Sequence, residues 1–225
     1  GVETLEGALL KAKAVVLAPG TFLNGLIHIG LKSYPAGRTN EPPSLELGEW
    51  LKQSGLRCFR LKTGTPMRLA AGSIAWDKFV PQPGDEKPVP FSTRTARALE
   101  NKIVCFSGRT NERTSAVIKR NLDKSPLFSG IIKGTGPRYC PSIEDKVVKF
   151  PQHPCHQIFL EPEGLNTTEV YVNGLSTSLP YEVQTKILET IPGLEEAEIL
   201  RPGYGIEYDA AEPGQVGANL ESKAL

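Results

Sequence analysis

Paired cysteines are missing from this 225-residue sequence. The four it has, Cys58, Cys105, Cys140 and Cys155, lie 47, 35 and 15 residues apart, so no Cys-x-x-Cys element offers a zinc site or a dithiol couple. The nearest approach to a ligand cluster, His153-Pro154-Cys155-His156, lacks a second pair, and no metal is expected. Also missing is any apolar run of roughly 18 residues, which excludes a helix across a membrane. No secretory or targeting segment is visible, and with no disulfide spacing the reading is a reducing, cytoplasmic setting. Internal repeats and low-complexity tracts are absent. The chain opens on Gly1 rather than Met and runs almost at once into an apolar segment, which reads as a fragment.

What is abundant is glycine and proline, 22 and 19 residues. They imply many turns and short elements rather than a helical bundle, so an α/β or α+β protein of one large or two small domains is expected. The formal net charge of +1 conceals an asymmetry. From Ser92 to Lys124 there are eight basic residues (Arg94, Arg97, Lys102, Arg109, Arg113, Lys119, Arg120, Lys124) against three acidic ones (Glu100, Glu112, Asp123). From His156 onward there are twelve acids and three bases. A basic segment of that density suits a phosphate-rich partner, because its cations release condensed counterions; a plain solvated helix face is the alternative.

Ala14 to Ala18, Ala-Val-Val-Leu-Ala before Pro19-Gly20, reads as a strand buried on both faces of a parallel sheet. Ser44 is placed to cap a helix with Leu47, Trp50 and Leu51 on one face and a stop at Gly55. Pro66 to Pro90 is rich in Pro and Gly, and with the basic segment behind it suggests an inserted subdomain. Ser142 with Asp145 resembles a capping box, predicting a helix from Ile143. His156–Leu160 and Glu169–Val172 read as strands, the second followed by an Asn173-Gly174 turn signal. Val183, Ile187, Leu188 and Ile191 form a helical stripe, and a strand begins at Ala197.

Among candidate chemical groups, Cys140 stands out. It precedes a predicted helix N-terminus and lies two residues from Arg138, and both features favour the thiolate. The alternative is a buried cysteine packing as a small hydrophobe. Gly134-x-Gly136 is half of a dinucleotide fingerprint, with Pro137 in the next place and no third glycine. Tyr204, Glu207, Tyr208 and Asp209 read as a strand end.

Several stretches together resemble one family: Gly136-Pro-Arg-Tyr-Cys140-Pro-Ser-Ile-Glu-Asp-Lys-Val, His156-Gln-Ile-Phe-Leu-Glu-Pro-Glu-Gly164, Arg201-Pro-Gly-Tyr-Gly-Ile-Glu-Tyr-Asp209 and Leu220-Glu-Ser-Lys223. Gly20-Thr-Phe-Leu-Asn-Gly25, Pro42-Pro-Ser44 and Arg60-Leu-Lys-Thr-Gly-Thr-Pro66 support them. They are similar to the MnmG (GidA) family of tRNA uridine 5-carboxymethylaminomethyl modification enzymes. The resemblance implies a flavoprotein that works with the GTPase MnmE to attach an aminomethyl-type group to C5 of the wobble uridine of tRNA. FAD, NADH and methylenetetrahydrofolate would serve it, and the full-length enzyme would be a homodimer.

By the same resemblance Gly20, Thr21 and Ser44 would lie along the FAD. Gly136 to Phe150 would bind the nicotinamide cofactor through Gly136, Pro137, Arg138, Tyr139, Cys140, Pro141, Ser142 and Lys146, with Cys140 also catalytic. Arg94, Arg97, Arg109, Arg113, Lys119 and Arg120 would meet tRNA. The expected architecture is α/β, an incomplete Rossmann-like FAD-binding domain with an inserted α+β subdomain. Its units are 1–66 (FAD-binding), 67–135 (basic insert) and 136–225 (nicotinamide segment and return). The family's Gly-x-Gly-x-x-Gly, a second upstream cysteine, the closing flavin segment and the C-terminal helical domain do not occur in this sequence. Pro19, Glu41 and Arg109 depart from the family pattern, and the fragment alone is expected to be inactive. The competing readings are a non-catalytic tRNA- or partner-binding module and a folate- and FAD-dependent tRNA uridine methyltransferase.

Overall fold

Two antiparallel sheets, joined where the chain leaves one and re-enters it, organise the computed structural model, which describes residues 1–138 and 140–223. In chain order the elements are β1 (Val2–Glu3), β2 (Leu9–Leu10), β3 (Leu26–Ile29), β4 (Lys32–Pro35), α1 (Leu45–Gln53), β5 (Cys58–Thr65), β6 (Arg68–Ala70), β7 (Val80–Gln82), β8 (Cys105–Arg109), α2 (Glu112–Arg120), α3 (Ile143–Lys149), β9 (Gln157–Pro162), β10 (Glu169–Asn173), α4 (Tyr181–Leu188), β11 (Ile199–Arg201) and β12 (Tyr204–Ala211). β1 and β2 pair in a small antiparallel sheet of their own; of the two large sheets, one has the order β4-β3-β12-β5 and the other β11-β6-β10-β9-β8-β7. The mixed α/β class is as expected.

The larger sheet holds the main core. On β9 and β10, Ile158, Leu160, Val170 and Val172 alternate with solvent-side residues, and Val172 faces Leu160 across the ladder. Val183, Ile187 and Leu188 of α4, with Ile191 beyond it, close over this face as their 3.6-residue spacing requires. Ile118 of α2 and Ile143 and Val147 of α3 join the same cluster. Gly174, after β10, has φ +97°, and a Cβ there would stand 2.6 Å from the Gln157 carbonyl, so the turn is closed to any larger residue.

The chain leaves the smaller sheet after Thr65 and returns at Tyr204. The expected boundary between Thr135 and Gly136 falls inside this excursion, since β9, β10 and β11 lie beyond it and complete the six-stranded sheet. Thr135 itself touches the smaller sheet, in a parallel bridge to Leu61: Lys62 N–H donates to Thr135 O at 2.9 Å, and Thr135 N–H donates to Arg60 O at 3.1 Å.

Three local readings need correction. Ala14–Ala18 forms no strand, and Val16 is 89% exposed. A strand buried on both faces needs neighbours on both sides, and none of the described strands pairs with this run. Trp50 is 49% exposed while Leu51 is buried, because Gly48, not Trp50, shares the covered face of α1. The Ser44 side chain makes no capping bond; its backbone instead ties to Phe22 and Asn24. Among the described residues no helix is long and apolar enough to cross a membrane.

Candidate active site

The segment that carries Cys140 is held against both sheets. Gly134 lies so close to β5 that a Cβ would approach Leu61 O to 2.9 Å. The Glu207 carboxylate of β12 accepts from Lys133 N–H at 2.9 Å and Gly134 N–H at 2.6 Å through Oε1, and pairs with His28 Nε2 at 2.9 Å through Oε2. His28 Nδ1 lies 2.7 Å from Ser33 Oγ. Burial pushes the His28 pKa down against the opposing pull of Glu207. The imidazole is therefore neutral: Nε2–H donates to Glu207 and Nδ1 accepts from the Ser33 hydroxyl.

This brace gives a pH dependence with a definite sign. Below the ordinary histidine value of 6.5 the unfolded chain takes up a proton that folded His28 resists, so stability rises with pH up to about 6.5 and this contribution is then constant. His156 and Glu144 also titrate away from their ordinary values, in the wild type and in a His28→Gln variant alike, so the difference between the two proteins isolates the brace: their stability gap in urea unfolding is expected to widen with pH up to about 6.5 and to stay constant above it.

Beyond the brace, Cys140 N–H donates to Pro137 O at 3.3 Å, closing a turn. Ser142 and Asp145 form the capping box read from the sequence: Asp145 N–H donates to Ser142 Oγ at 3.2 Å, and Ser142 N–H to Asp145 Oδ2 at 3.3 Å. Cys140, partly exposed, sits two residues before that cap, as anticipated, and Pro141 between them lines an open cavity of about 340 Å³. Lys146, half-buried, donates to Gly174 O at 3.1 Å, and burial pushes its pKa down. Gly136, Pro137 and Arg138 lie on the preceding loop, with Gly136 and Arg138 exposed. Tyr139, assigned by resemblance to the cofactor, lies outside the described residues.

Sequence reading missed three groups here. Glu144 is fully buried; its Oε1 accepts from Thr177 Oγ1 at 3.0 Å and Ser178 N–H at 3.1 Å, while Oε2 has no partner among the described residues. Burial pushes its pKa up, which favours the neutral acid. Lys62 is 3% exposed and acts electrostatically on Glu144 and Asp145. Arg68 stacks 4.5 Å over the Tyr171 ring and donates to Thr65 Oγ1 and Pro66 O; burial raises the Tyr171 hydroxyl's pKa, with Cys140 among the smaller influences.

The other predicted residues fall in two places. Gly20, Thr21 and Ser44 come together: Ser44 N–H donates to Phe22 O at 2.8 Å, and the Thr21 hydroxyl donates to Gly37 O at 2.7 Å. Gly20 has φ +56° and nothing within 4 Å of where its Cβ would be, so its backbone is open to close approach. Arg109 ends β8, with its guanidinium 3.7 Å from Cys155 Sγ, and Arg113, Lys119 and Arg120 are exposed on α2. Arg94 and Arg97 are exposed on the irregular segment between β7 and β8, apart from that helix in sequence and in secondary structure. Among the described residues no cluster of three His, Cys, Asp or Glu could hold a metal ion.

The family model for glucose inhibited division protein A matches residues 1–225. The chain belongs to the GidA family. It is 54% identical to the tRNA uridine 5-carboxymethylaminomethyl modification enzyme MnmG of Syntrophotalea carbinolica, covering all of this chain and 36% of that protein. It is 56% identical to the MnmG of Thermodesulfovibrio yellowstonii, again covering all of this chain and 36% of the relative. The GidA structure from Aquifex aeolicus in its form I crystal superposes with a TM-score of 0.91 at 46% identity, covering the whole chain and 39% of the solved one. The chain thus spans about a third of the length of the curated relatives it matches. The GidA likeness carries the α/β fold class over the full length.

Proposed function

We propose that this chain is the central part of a flavin-dependent enzyme that adds an aminomethyl-type group to C5 of the wobble uridine of tRNA. The observation that carries the reading is the placement of Cys140: partly exposed, at the approach to a capped helix, and next to an open cavity, in a chain that matches MnmG proteins over its full length. Cys140 is the catalytic residue of this reading, its sulfur being the strongest nucleophile of the cluster.

FAD would supply the redox chemistry. The exposed Gly20 turn, open where a Cβ would lie, with Thr21 and Ser44 beside it, fits a cofactor drawn close to the backbone. NADH would meet the Gly136–Lys146 segment, where Lys146 and Arg138 offer positive charge and Ser142 stays committed to its cap. Methylenetetrahydrofolate is the proposed one-carbon donor, the GTPase MnmE the partner, and a cytoplasmic homodimer the working form. Residues 1–66 fall to the flavin-binding unit and 67–135 to the basic insert, whose sheet continues through β11; 136–225 carries the nicotinamide segment and the return.

Complementation tests the reading. The full-length gene, placed in a bacterial strain lacking its own modification enzyme, is expected to restore an aminomethyl-type substituent on the wobble uridine, read by nucleoside mass. A methyl group at C5 instead would assign the chain to the methyltransferase reading, and an unmodified uridine would remove the enzymatic one.

A further inference from the structure

Asp209, the last residue of the Tyr204–Asp209 run singled out in the sequence, takes no part in the Cys140 loop, yet its carboxylate is 5% exposed and bound on both oxygens. Oδ1 accepts from Arg60 Nη1 at 3.0 Å across the β5–β12 ladder, and Oδ2 from Asn24 Nδ2 at 2.6 Å and Lys52 Nζ at 3.0 Å. A carboxylate taken out of water needs such partners. Burial alone would raise its pKa, but the Asn24, Arg60 and Lys52 donors override it and hold the carboxyl below its ordinary range, so the group is ionised at neutral pH.

These bonds converge on one turn. Asn24 has φ +47°, in the left-handed region that asparagine tolerates better than most residues. Its side-chain amide is held by Asp209, its carbonyl accepts from Arg60 Nη1 at 2.9 Å, and its N–H donates to Ser44 O at 3.2 Å. One residue earlier, Leu23 O accepts from the Asp209 N–H at 2.8 Å. Gly48 of α1 lies against the same amide, where a Cβ would stand 2.6 Å from Nδ2. Upstream, the chain that carries Gly20 and Thr21 is closed by Phe22 N–H donating to Pro19 O and Gly25 N–H donating to Phe22 O, each at 3.1 Å. Strands β5 and β12 and helix α1 thus meet at one carboxylate, which fixes the end of the turn that leaves the Gly20 backbone open.

We propose that Asp209 is the positioning residue of the flavin site: by clamping Asn24 it sets the path of the Gly20–Asn24 turn and, through Ser44 O, the start of α1. It acts through Asn24 rather than by contact with the cofactor. The proposal rests on the reading above that Gly20, Thr21 and Ser44 lie along the FAD, and adds what holds them there.

The test uses the full-length protein, stripped of flavin and titrated with FAD by fluorescence, with urea unfolding midpoints of the same samples. Asp209→Asn keeps the shape but turns one acceptor oxygen into a donor facing Arg60, or Asn24 and Lys52. It is expected to weaken FAD binding by about 10-fold or more, the low end of what loss of an outer-shell partner costs at metal sites. Asn24→Gly accepts the left-handed φ, deletes the amide and leaves Asp209 its two cations, so it decides the matter if Asp209→Asn fails to fold; it is expected to weaken FAD binding in the same sense. The two changes together should cost little more than the worse of them, as residues acting through one bond do, whereas a merely structural role predicts losses that add and that follow the unfolding midpoints. Arg57→Ala, which breaks an exposed ion pair with Glu212 beside the same two strands, should leave FAD affinity within about twofold. FAD affinity within about twofold of wild type in either Asp209→Asn or Asn24→Gly overturns the proposal, as do additive losses. Gly20→Val, which crowds the turn itself, separates that failure from failure of the flavin reading. Unchanged FAD affinity in Gly20→Val, or no FAD binding by the wild type, overturns both; weakened binding there with normal binding in Asp209→Asn overturns the proposal alone.

Discussion

Cys140→Ser in the full-length protein is expected to lower wobble-uridine modification by about 100-fold or more, the lower end of what a positioned catalytic group contributes, while flavin absorbance stays as in the wild type. A serine hydroxyl is almost the same size as the thiol but is a far weaker nucleophile at neutral pH. Cys140 is partly exposed, and its backbone bond to Pro137 O does not involve the side chain, so the change costs little in packing. Gly20, Thr21 and Ser44, which we propose to lie along the flavin, belong to a different stretch of backbone and keep their bonds. The assay is nucleoside mass with the absorbance spectrum of the same sample. Near-normal modification would take Cys140 out of the mechanism.

Glu207→Ala is expected to destabilise the protein by about 3–5 kcal/mol, because three N–H donors lose a charged acceptor together and each unsatisfied donor costs about 1–3 kcal/mol. Three bonds go at once: the His28 ring loses its acceptor, and the Lys133 and Gly134 amides lose theirs. Those two amides fix the start of the loop that leads to Cys140, so the structural damage should reach the site as well. Glu207→Gln keeps a carbonyl oxygen for the two amides and should cost clearly less. Urea unfolding midpoints, compared at constant slope, separate the two variants. A loss below about 1 kcal/mol for Glu207→Ala would mean that the brace is not what holds the loop.

The sequence disclosed those parts of the molecule whose determinants are local. Ser142 and Asp145 announce their capping box because both partners lie within one helical turn, and the α4 stripe announces its buried face because period and burial coincide. The approach of Cys140 to a helix tip follows from the first of these. What stayed hidden depends on partners distant in sequence. Glu144, in the first turn of α3, reads as an ordinary acid near a helix start, and only its burial against Thr177 and Ser178, distant in sequence, pushes its pKa up, the two hydrogen bonds they donate pulling the other way. Lys62 lies on a strand whose alternation gives no hint of burial, and it is covered by the 133–136 loop that returns to β5 some seventy residues later. The orphaned nitrogen of His156 is likewise a product of packing, since in the sequence it looked like half of an incomplete metal cluster. Ala14–Ala18 failed for the opposite reason: its pattern states a demand for neighbours, and the described strands do not meet it.

Competitive alkylation tests the central claim, a thiol set apart for chemistry at the approach to α3, more directly than any activity assay. The four cysteines are free and partly exposed, so accessibility alone separates them little. Burial raises the pKa of Cys58 and of Cys105, which slows both toward an electrophile. With limiting iodoacetamide at neutral pH and peptide mass mapping of the full-length protein, Cys140 is expected to be labelled at least about tenfold faster than Cys58 or Cys105. Labelling of Cys140 at or below the rate of those two would contradict the account.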